Sequence, residues 1–416
     1  MKWLVVSLLL AGGLASSKAE TVEVPSMSDG CRAAVLELAQ WLWRNPELSH
    51  EEFKAAAKQV AFMRDRGFSV TEKYLGIPTA YRAEFKNGEG GVTFAFCAEY
   101  DALPNVGHAC GHNLICGASV AAALLVKESL VAKGISGRVV VLGCPGEERN
   151  GAKVKMAELG AVDDVDALMM SHPIPSMKPS SDWGYAGGRS VRVTYRGHGA
   201  SPMARWASPK IRNPLDAQTL LYQAVALRRH YTPMNLALAG TITQAGQRAN
   251  MVPNESVATY TVRSQDRKVL LAWTEELVKM AKGAAMMTGT EVDLKITGGY
   301  MPTNPCYLLS DVYLDAMATF GLVGRKLKAK ELEFALTDFG NLSQLKPGVH
   351  MHFPVMCTEH PCHSRGFAEA CNTPVAYANM FASARSMAAT ALKFLTDAEF
   401  RRAVQDEFIR NSNGAD

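Results

Sequence analysis

The chain has 416 residues, 48% hydrophobic and 20% charged, enough to bury one large core or two of ordinary size. Its formal charge of +4 is small for that length. No Lys/Arg-rich block is interleaved with aromatics, which argues against nucleic acid as a partner.

The first residues have the build of a secretory leader. Met1 and Lys2 give a positive start, Trp3 to Leu14 are apolar or small, and Ser17-Lys18-Ala19 forms a small-x-small cleavage site before Glu20. Residues 1–19 are therefore expected to be removed on export to a periplasm or the outside. The apolar run is roughly a dozen residues where a membrane span needs about 20. No later segment reads as a span, so no membrane contact is expected after cleavage. Nine cysteines are present, an odd number at irregular spacing that leaves at least one thiol free. Cys31, Cys97, Cys116 and Cys144 lie in apolar runs and read as small core residues. Cys306, Cys357, Cys362 and Cys371 could include a bridge.

Asp29 is placed to cap a first helix whose apolar positions Cys31, Ala34, Val35, Leu38, Trp41 and Leu42 recur at helical spacing. Ser49 and Glu52 are spaced as a capping box for a second helix with Phe53, Ala56, Ala57, Val60 and Met63 on its apolar face, and Gly67 ends it. Strands then alternate with helices: strand 92–98, helix 114–132, strand 138–144, a short helix through 156–159, and strand 167–171. That alternation predicts an α/β fold, a mostly parallel sheet flanked by helices. From Gly187-Gly188 the pattern changes to strand 190–195, helix 215–229, strands 237–243 and 257–262, helix 270–287 and strand 292–296. The order β-α-β-β-α-β is that of a ferredoxin-like α+β sandwich. Because α/β character returns after Gly299, residues 189–299 read as a domain inserted into one formed by 20–188 and 300–416.

Three of the predicted strands end in polar clusters: Glu99-Tyr100-Asp101 with His108 to Asn113 beyond it, Glu147-Glu148, and His172-Pro173. Sites in open α/β sheets lie just beyond the carboxyl ends of strands, so these clusters should converge. Thiolate, imidazole and carboxylate are metal ligands. Cys110 and His112 flank a glycine that allows a tight turn. With two adjacent glutamates, one can bind metal while the other takes a proton from a water acidified by it. His108, His198, His230, His350, His352 and His360 read mostly as surface or structural residues.

The strings EYDALPNVGHACGHN (99–113), PGEE (145–148) and SHP (171–173), with TDFGN (337–341) and a late His363, resemble the amidohydrolase branch of peptidase family M20. That branch includes aminoacylases, indole-acetyl-amino-acid hydrolases, p-aminobenzoyl-glutamate hydrolase and β-alanyl-lysine dipeptidase-like proteins. The resemblance implies a zinc-peptidase-like catalytic domain binding two divalent metal ions, with Cys110, His112, Glu148, His172 and His363 as ligands. It makes Glu147 the general base and Asp101 the acid that orients a ligand. Zinc is favoured over manganese by the thiolate and imidazoles. The inserted domain is implied to be a lid and homodimerisation module whose Asn250 and Arg263 contact the substrate carboxylate, a task suited to a guanidinium fork. Where relatives carry a lid histidine that polarises the scissile carbonyl, this chain has Ser201, so either His198 substitutes or the metals act alone.

These readings predict hydrolysis of the amide bond of N-acyl or aryl-acyl amino acids or dipeptides, through a metal-bridging water and Glu147. One alternative is a carboxypeptidase-like, detoxifying hydrolase of a bulky aromatic amide, suggested by the Met- and Trp-containing stretch from Met203 to Trp206. The other is a metal-loaded binding protein without catalysis.

Overall fold

The computed structural model describes residues 23–201 and 208–413. The expected leader, residues 1–19, and the stretch from Met203 to Trp206 lie outside the described residues. In chain order the elements are α1 (Asp29–Arg44), α2 (Phe53–Asp65), β1 (Ser69–Glu72), β2 (Tyr81–Asn87), β3 (Val92–Glu99), α3 (His112–Ala132) and β4 (Gly137–Cys144). There follow α4 (Ala152–Glu158), β5 (Ala167–Ile174), β6 (Gly187–Arg196), α5 (Pro214–Arg228), β7 (Leu236–Gln244) and β8 (Glu255–Ser264). The chain continues through α6 (Arg267–Thr288), β9 (Glu291–Tyr300), α7 (Tyr307–Ala318), α8 (Phe339–Ser343), β10 (Gly348–Pro354), α9 (Arg365–Ala370), α10 (Pro374–Thr396) and α11 (Ala398–Asn413).

The first sheet has the order β1-β2-β4-β3-β5-β10. The pairs β4–β3, β3–β5 and β5–β10 are parallel, as expected, while β1–β2 and β2–β4 are antiparallel. The edge hairpin of β1 and β2 has no counterpart in the sequence reading; its short, partly exposed strands give a weak period. Strand β3 is buried on both faces. Phe94, Phe96 and Ala98 pack under α1, α2, α3, α7 and α10, while Ala95 and Cys97 face the smaller core under α4 and α8. Burial on both faces is why these strands read as continuous apolar runs rather than as alternation.

Helix α3 is long and apolar enough to cross a membrane by length and composition, with mean hydropathy 1.8, so the expectation that no later segment would qualify is corrected. Most of it is buried, packed between the sheet and α10 as a core helix.

The second sheet, β7-β8-β6-β9, is antiparallel throughout and carries α5 and α6 on one face, in the β-α-β-β-α-β order expected. Its core is separate, built from Val191, Val193, Tyr260, Leu277 and their neighbours.

Two capping expectations are corrected. Ser28, not Asp29, caps α1, its hydroxyl accepting from the Cys31 amide at 3.3 Å. Ser49 and Glu52 form no capping box: Ser49 donates to Asp101 at 2.8 Å, and Glu52 accepts from the His50 and Gly146 amides, each at 2.8 Å. Both side chains are drawn away from the helix end by the loops around the polar cluster. Gly67, with φ +74°, does follow the end of α2. All nine cysteines are free thiols among the described residues, so the suggested bridge is not formed. Cys31 is only half-buried.

Phe94 is fully buried, with ring centroids 5.3 Å from Phe96 and 5.7 Å from Phe394. Phe94→Ala is expected to lower unfolding stability by roughly 3–5 kcal/mol, read as a lower urea midpoint at unchanged slope.

Candidate metal centre and active site

The carboxyl ends of β3, β4 and β5 lie side by side, with Glu99 of β3 opposite Cys144 of β4. The segments leaving them bring together residues far apart in sequence. Asp101 follows β3, Glu147 and Glu148 follow β4, and His172 lies at the end of β5. Cys110 and His112 arrive at the start of α3, whose N-cap Gly111 has φ +74°. A Cβ there would come within 2.4 Å of Pro173, so only glycine allows this turn against β5. His363 also has a positive φ, +66°, and its amide donates to the Ala109 carbonyl at 2.8 Å, which draws residues 362–363 beside Cys110. A left-handed histidine costs of order 1–3 kcal/mol and persists only where its surroundings enforce it.

The ligand atoms form three overlapping sets: Cys110, His112 and His172; Cys110, Glu148 and His363; His112, Glu147 and Glu148. In each set the atoms lie within 4.8 Å of one another. Cys110 Sγ is 3.3 Å from His172 Nε2, and His363 Nε2 is 3.4 Å from Glu148 Oε1. The ring tautomers are fixed from behind. His112 Nδ1 donates to Asp101 Oδ1 at 2.9 Å, and His172 Nδ1 donates to the Pro173 carbonyl at 2.6 Å, so that both Nε2 atoms face the cluster. His112 Nε2 and Glu148 Oε1 are buried with no hydrogen-bond partner among the described residues. Buried polar atoms without hydrogen bonds are costly, and sulfur, imidazole and carboxylate together suit a divalent metal.

Asp101 is almost fully buried, and burial would raise its carboxyl. The His112 charge and hydrogen bond, the Glu148 amide and the Ser49 hydroxyl more than offset this and hold it well below the usual carboxylate range. Glu147 is pushed the other way. Burial raises its carboxyl well above the ordinary value, reinforced by the charges of Glu99, Asp338 and Glu148. His172 is lowered to about 4, by burial and then by the neighbouring His112.

Behind the ligands lies an ionic triad that the sequence reading missed. Fully buried Lys153 donates to Glu99 at 2.7 Å and to Asp338 at 2.5 Å, and the Lys153 amide also donates to Asp338. Glu99 Oε2 is 3.5 Å from His112 Nε2, so this network abuts the ligand set. The available signal was a glutamate ending an apolar strand, a lysine inside a short apolar helix, and the acid of TDFGN. Tyr300, at the end of β9, joins the second sheet to the site: its hydroxyl donates to the Glu147 carbonyl and accepts from the Gly151 amide, both at 2.7 Å.

Cys110, Glu147, Glu148, His172 and His363 line a cavity of about 1080 Å³, whose walls include Trp183, Tyr185, Tyr300, Lys178, Arg263, Arg325 and His350. Arg263 therefore lies on the cavity, its guanidinium also donating to the Phe334 carbonyl at 3.0 Å. His198 and Asn250 do not line it. Both are exposed, and His198 pairs through its backbone with Arg212. Cys362 lines the cavity as a free thiol. His350 and His352 are not surface residues; both are buried on β10, at or beside the cavity. Their signal was two imidazoles at i and i+2 in an otherwise apolar strand, which places both on one face.

Residues 95–356 match the model of peptidase family M20/M25/M40. The chain belongs to that family. It is a metal-dependent hydrolase of amide bonds. It is 31% identical to the Xaa-Arg dipeptidase of Mus musculus over 89% of this chain and 88% of that protein. It is 25% identical to a p-aminobenzoyl-glutamate hydrolase polypeptide of Escherichia coli (strain K12), covering 90% of this chain and 92% of that one. Its fold matches a crystal structure of a dinuclear metal-binding M20 peptidase from Bacillus subtilis with TM-score 0.67 and 20% identity, over 88% of this chain and 99% of that one.

Two expectations follow for stability. Lys153→Met leaves Glu99 and Asp338 buried without their cation, and should cost roughly 3–5 kcal/mol by urea unfolding of the metal-free protein. Asp182 accepts from the Gly184 amide at 2.8 Å and the His350 amide at 3.1 Å, and burial raises its carboxyl from 3.8 to about 6. The folded state thus binds this proton more tightly than the unfolded chain. The stability contributed by the neutral acid is full below the unfolded value and is lost as pH rises through about 6. Calorimetry of metal-free Asp182→Asn against the parent should show a melting-temperature difference more favourable to the variant at about pH 7 than at about pH 4.5.

Proposed function

We propose that this enzyme hydrolyses the amide bond of N-acyl or aryl-acyl amino acids or dipeptides whose amine-side residue carries a free carboxylate. The observation that carries the reading is Glu147, a carboxylate raised well above its ordinary value by burial and neighbouring acids, beside a five-residue set of candidate ligands at a cavity with basic and aromatic walls. Cys110, His112, Glu148, His172 and His363 would hold two divalent ions, zinc in preference to manganese because of the thiolate and imidazoles. When bound, such ions supply an acidified water and polarise the carbonyl.

The residues then divide the work. Asp101 holds the His112 ring in the ligating tautomer. Glu147 takes the water's proton and later gives it to the leaving nitrogen, and a base with a raised pKa suits both transfers. Tyr300, bonded to the Glu147 carbonyl, fixes the backbone of that loop. Arg263, which lines the cavity, would receive the substrate carboxylate, and Trp183 and Tyr185 would offer flat apolar surface to an aryl-acyl group.

The cavity walls favour anionic over cationic substrates. Lys178 and Arg263 line it, Arg325 there being paired with Glu331 at 2.6 Å, and its acids are Glu147 and Glu148, both assigned to the reaction centre. This supports acyl-glutamate-like or neutral substrates over the arginine-ended dipeptides named for the mouse relative. The bulky-aromatic-amide reading shares the same aromatic wall and is separated by substrate profiling. We also propose export, on the N-terminal pattern, and pairing of two copies through the second sheet.

Glu147→Gln should bind metal as the parent does, by elemental analysis, while losing turnover of every substrate the parent cleaves. A metal-loaded, active Glu147→Gln enzyme would overturn the assignment. Chelator should abolish the parent's activity and added zinc restore it.

A further inference from the structure

Among the imidazoles lining the cavity, two are accounted for. His172 is held by the Pro173 carbonyl and faces Cys110, and His363 faces Glu148. His350 is different. It is 1% exposed, and neither ring nitrogen has a hydrogen-bond partner among the described residues. It belongs to none of the ligand sets. Its neighbour on the same face of β10, His352, is fully satisfied: Nδ1 meets Ser180 and the Ser181 carbonyl, Nε2 meets the Tyr185 hydroxyl at 2.7 Å, and the ring stacks on Trp183 at 3.9 Å.

The His350 ring is nonetheless firmly placed. Its centroid lies 4.7 Å from Tyr185, 5.6 Å from His172 and 5.7 Å from Phe339, and its backbone amide donates to Asp182. Leaving a buried polar group unpaired is costly, and native folds keep such groups where a ligand or water completes them. This ring is clamped by four others, those three and His352 at 5.3 Å, on the wall of the cavity that holds Glu147.

We propose that His350 is a catalytic residue that donates a hydrogen bond to the oxygen of the scissile amide carbonyl as it becomes negatively charged. An imidazole ring always carries at least one N–H. Fixed in advance and shielded from water, that donor stabilises the developing oxyanion without reorganising, which is where such donors act most strongly. The donor is built into the floor of the catalytic domain, on a strand paired to the one bearing His172, with His352 opposite His172 in the register. The inference rests on the amidohydrolase reading, and it gives this chain an oxyanion donor where the lid position carries Ser201.

The test compares His350→Phe and His350→Asn with the parent, all zinc-loaded. The readouts are metal content, kcat and KM on a cleaved N-acyl amino acid, and calorimetric binding of a phosphinate analogue whose tetrahedral anion imitates the attacked carbonyl. The expected result for His350→Phe is parental metal content, a kcat lowered by about 100-fold or more with little change in KM, and weakened analogue binding. His350→Asn, which keeps a donor, should recover part of both losses. The inference fails if His350→Phe stays within about threefold of the parental kcat, or if it binds the analogue as the parent does. It also fails if the loss tracks lost metal, which would make His350 a ligand, or if His350→Asn is as impaired as His350→Phe, which would make the ring a packing element. A parent that neither cleaves these substrates nor binds the analogue would instead sink the hydrolase reading, and this inference with it.

Discussion

Glu99, Asp101, Glu147, Glu148 and Asp338 crowd into one buried region at the end of the parallel strands, and Lys153 is the cation the protein itself buries among them. Isolated buried carboxylates would protonate or force the region open. The fold tolerates them by dividing them into two groups. Glu99 and Asp338 are neutralised by Lys153, and Asp101 is stabilised by His112, an amide and a hydroxyl. Glu147 and Glu148 are left facing the ligand atoms, where external cations complete the balance. The need for positive charge at that point governs the ligand geometry, the raised carboxyl of Glu147 and the dependence of activity on metal.

The architecture serves this concentration of charge. A parallel sheet buried on both faces gives three strand ends a common level, and the helices on either side hold them there. The loops beyond are anchored at several points: Gly111 against Pro173, the His363 amide on Ala109, Ser49 on Asp101, and Glu52 on the His50 and Gly146 amides. Several of these anchors use residues that could otherwise have capped a helix or relaxed a backbone angle. Local order is given up in favour of a precise site, as expected where function constrains the chain.

The second sheet reaches the site mainly through its ends. Tyr300 closes β9 onto the Glu147 loop and Arg263 lies near the end of β8, so the sandwich supplies one clamp and one charged group to the cavity. The division places the candidate ligands on rigid strand ends and the basic and aromatic residues on the surrounding walls.

Strands β3, β4 and β5, the four strands of the second sheet and the polar residues that cluster at the strand ends were legible in the sequence because each is local: apolar runs give strands, strand ends expose polar clusters, and a thiol and an imidazole around a glycine form a recognisable unit. The edge hairpin β1–β2 was not, because short, half-exposed strands carry little period. Long-range partnerships were hidden for a different reason. That Lys153 neutralises Glu99 and Asp338, that Ser49 serves Asp101 rather than a helix end, and that His350 lies unpaired on the cavity wall all depend on pairings across the chain. Side-chain chemistry announces what a residue can do; burial and the positions of its neighbours, fixed only when the sheets and helices pack, decide which of those capacities is used.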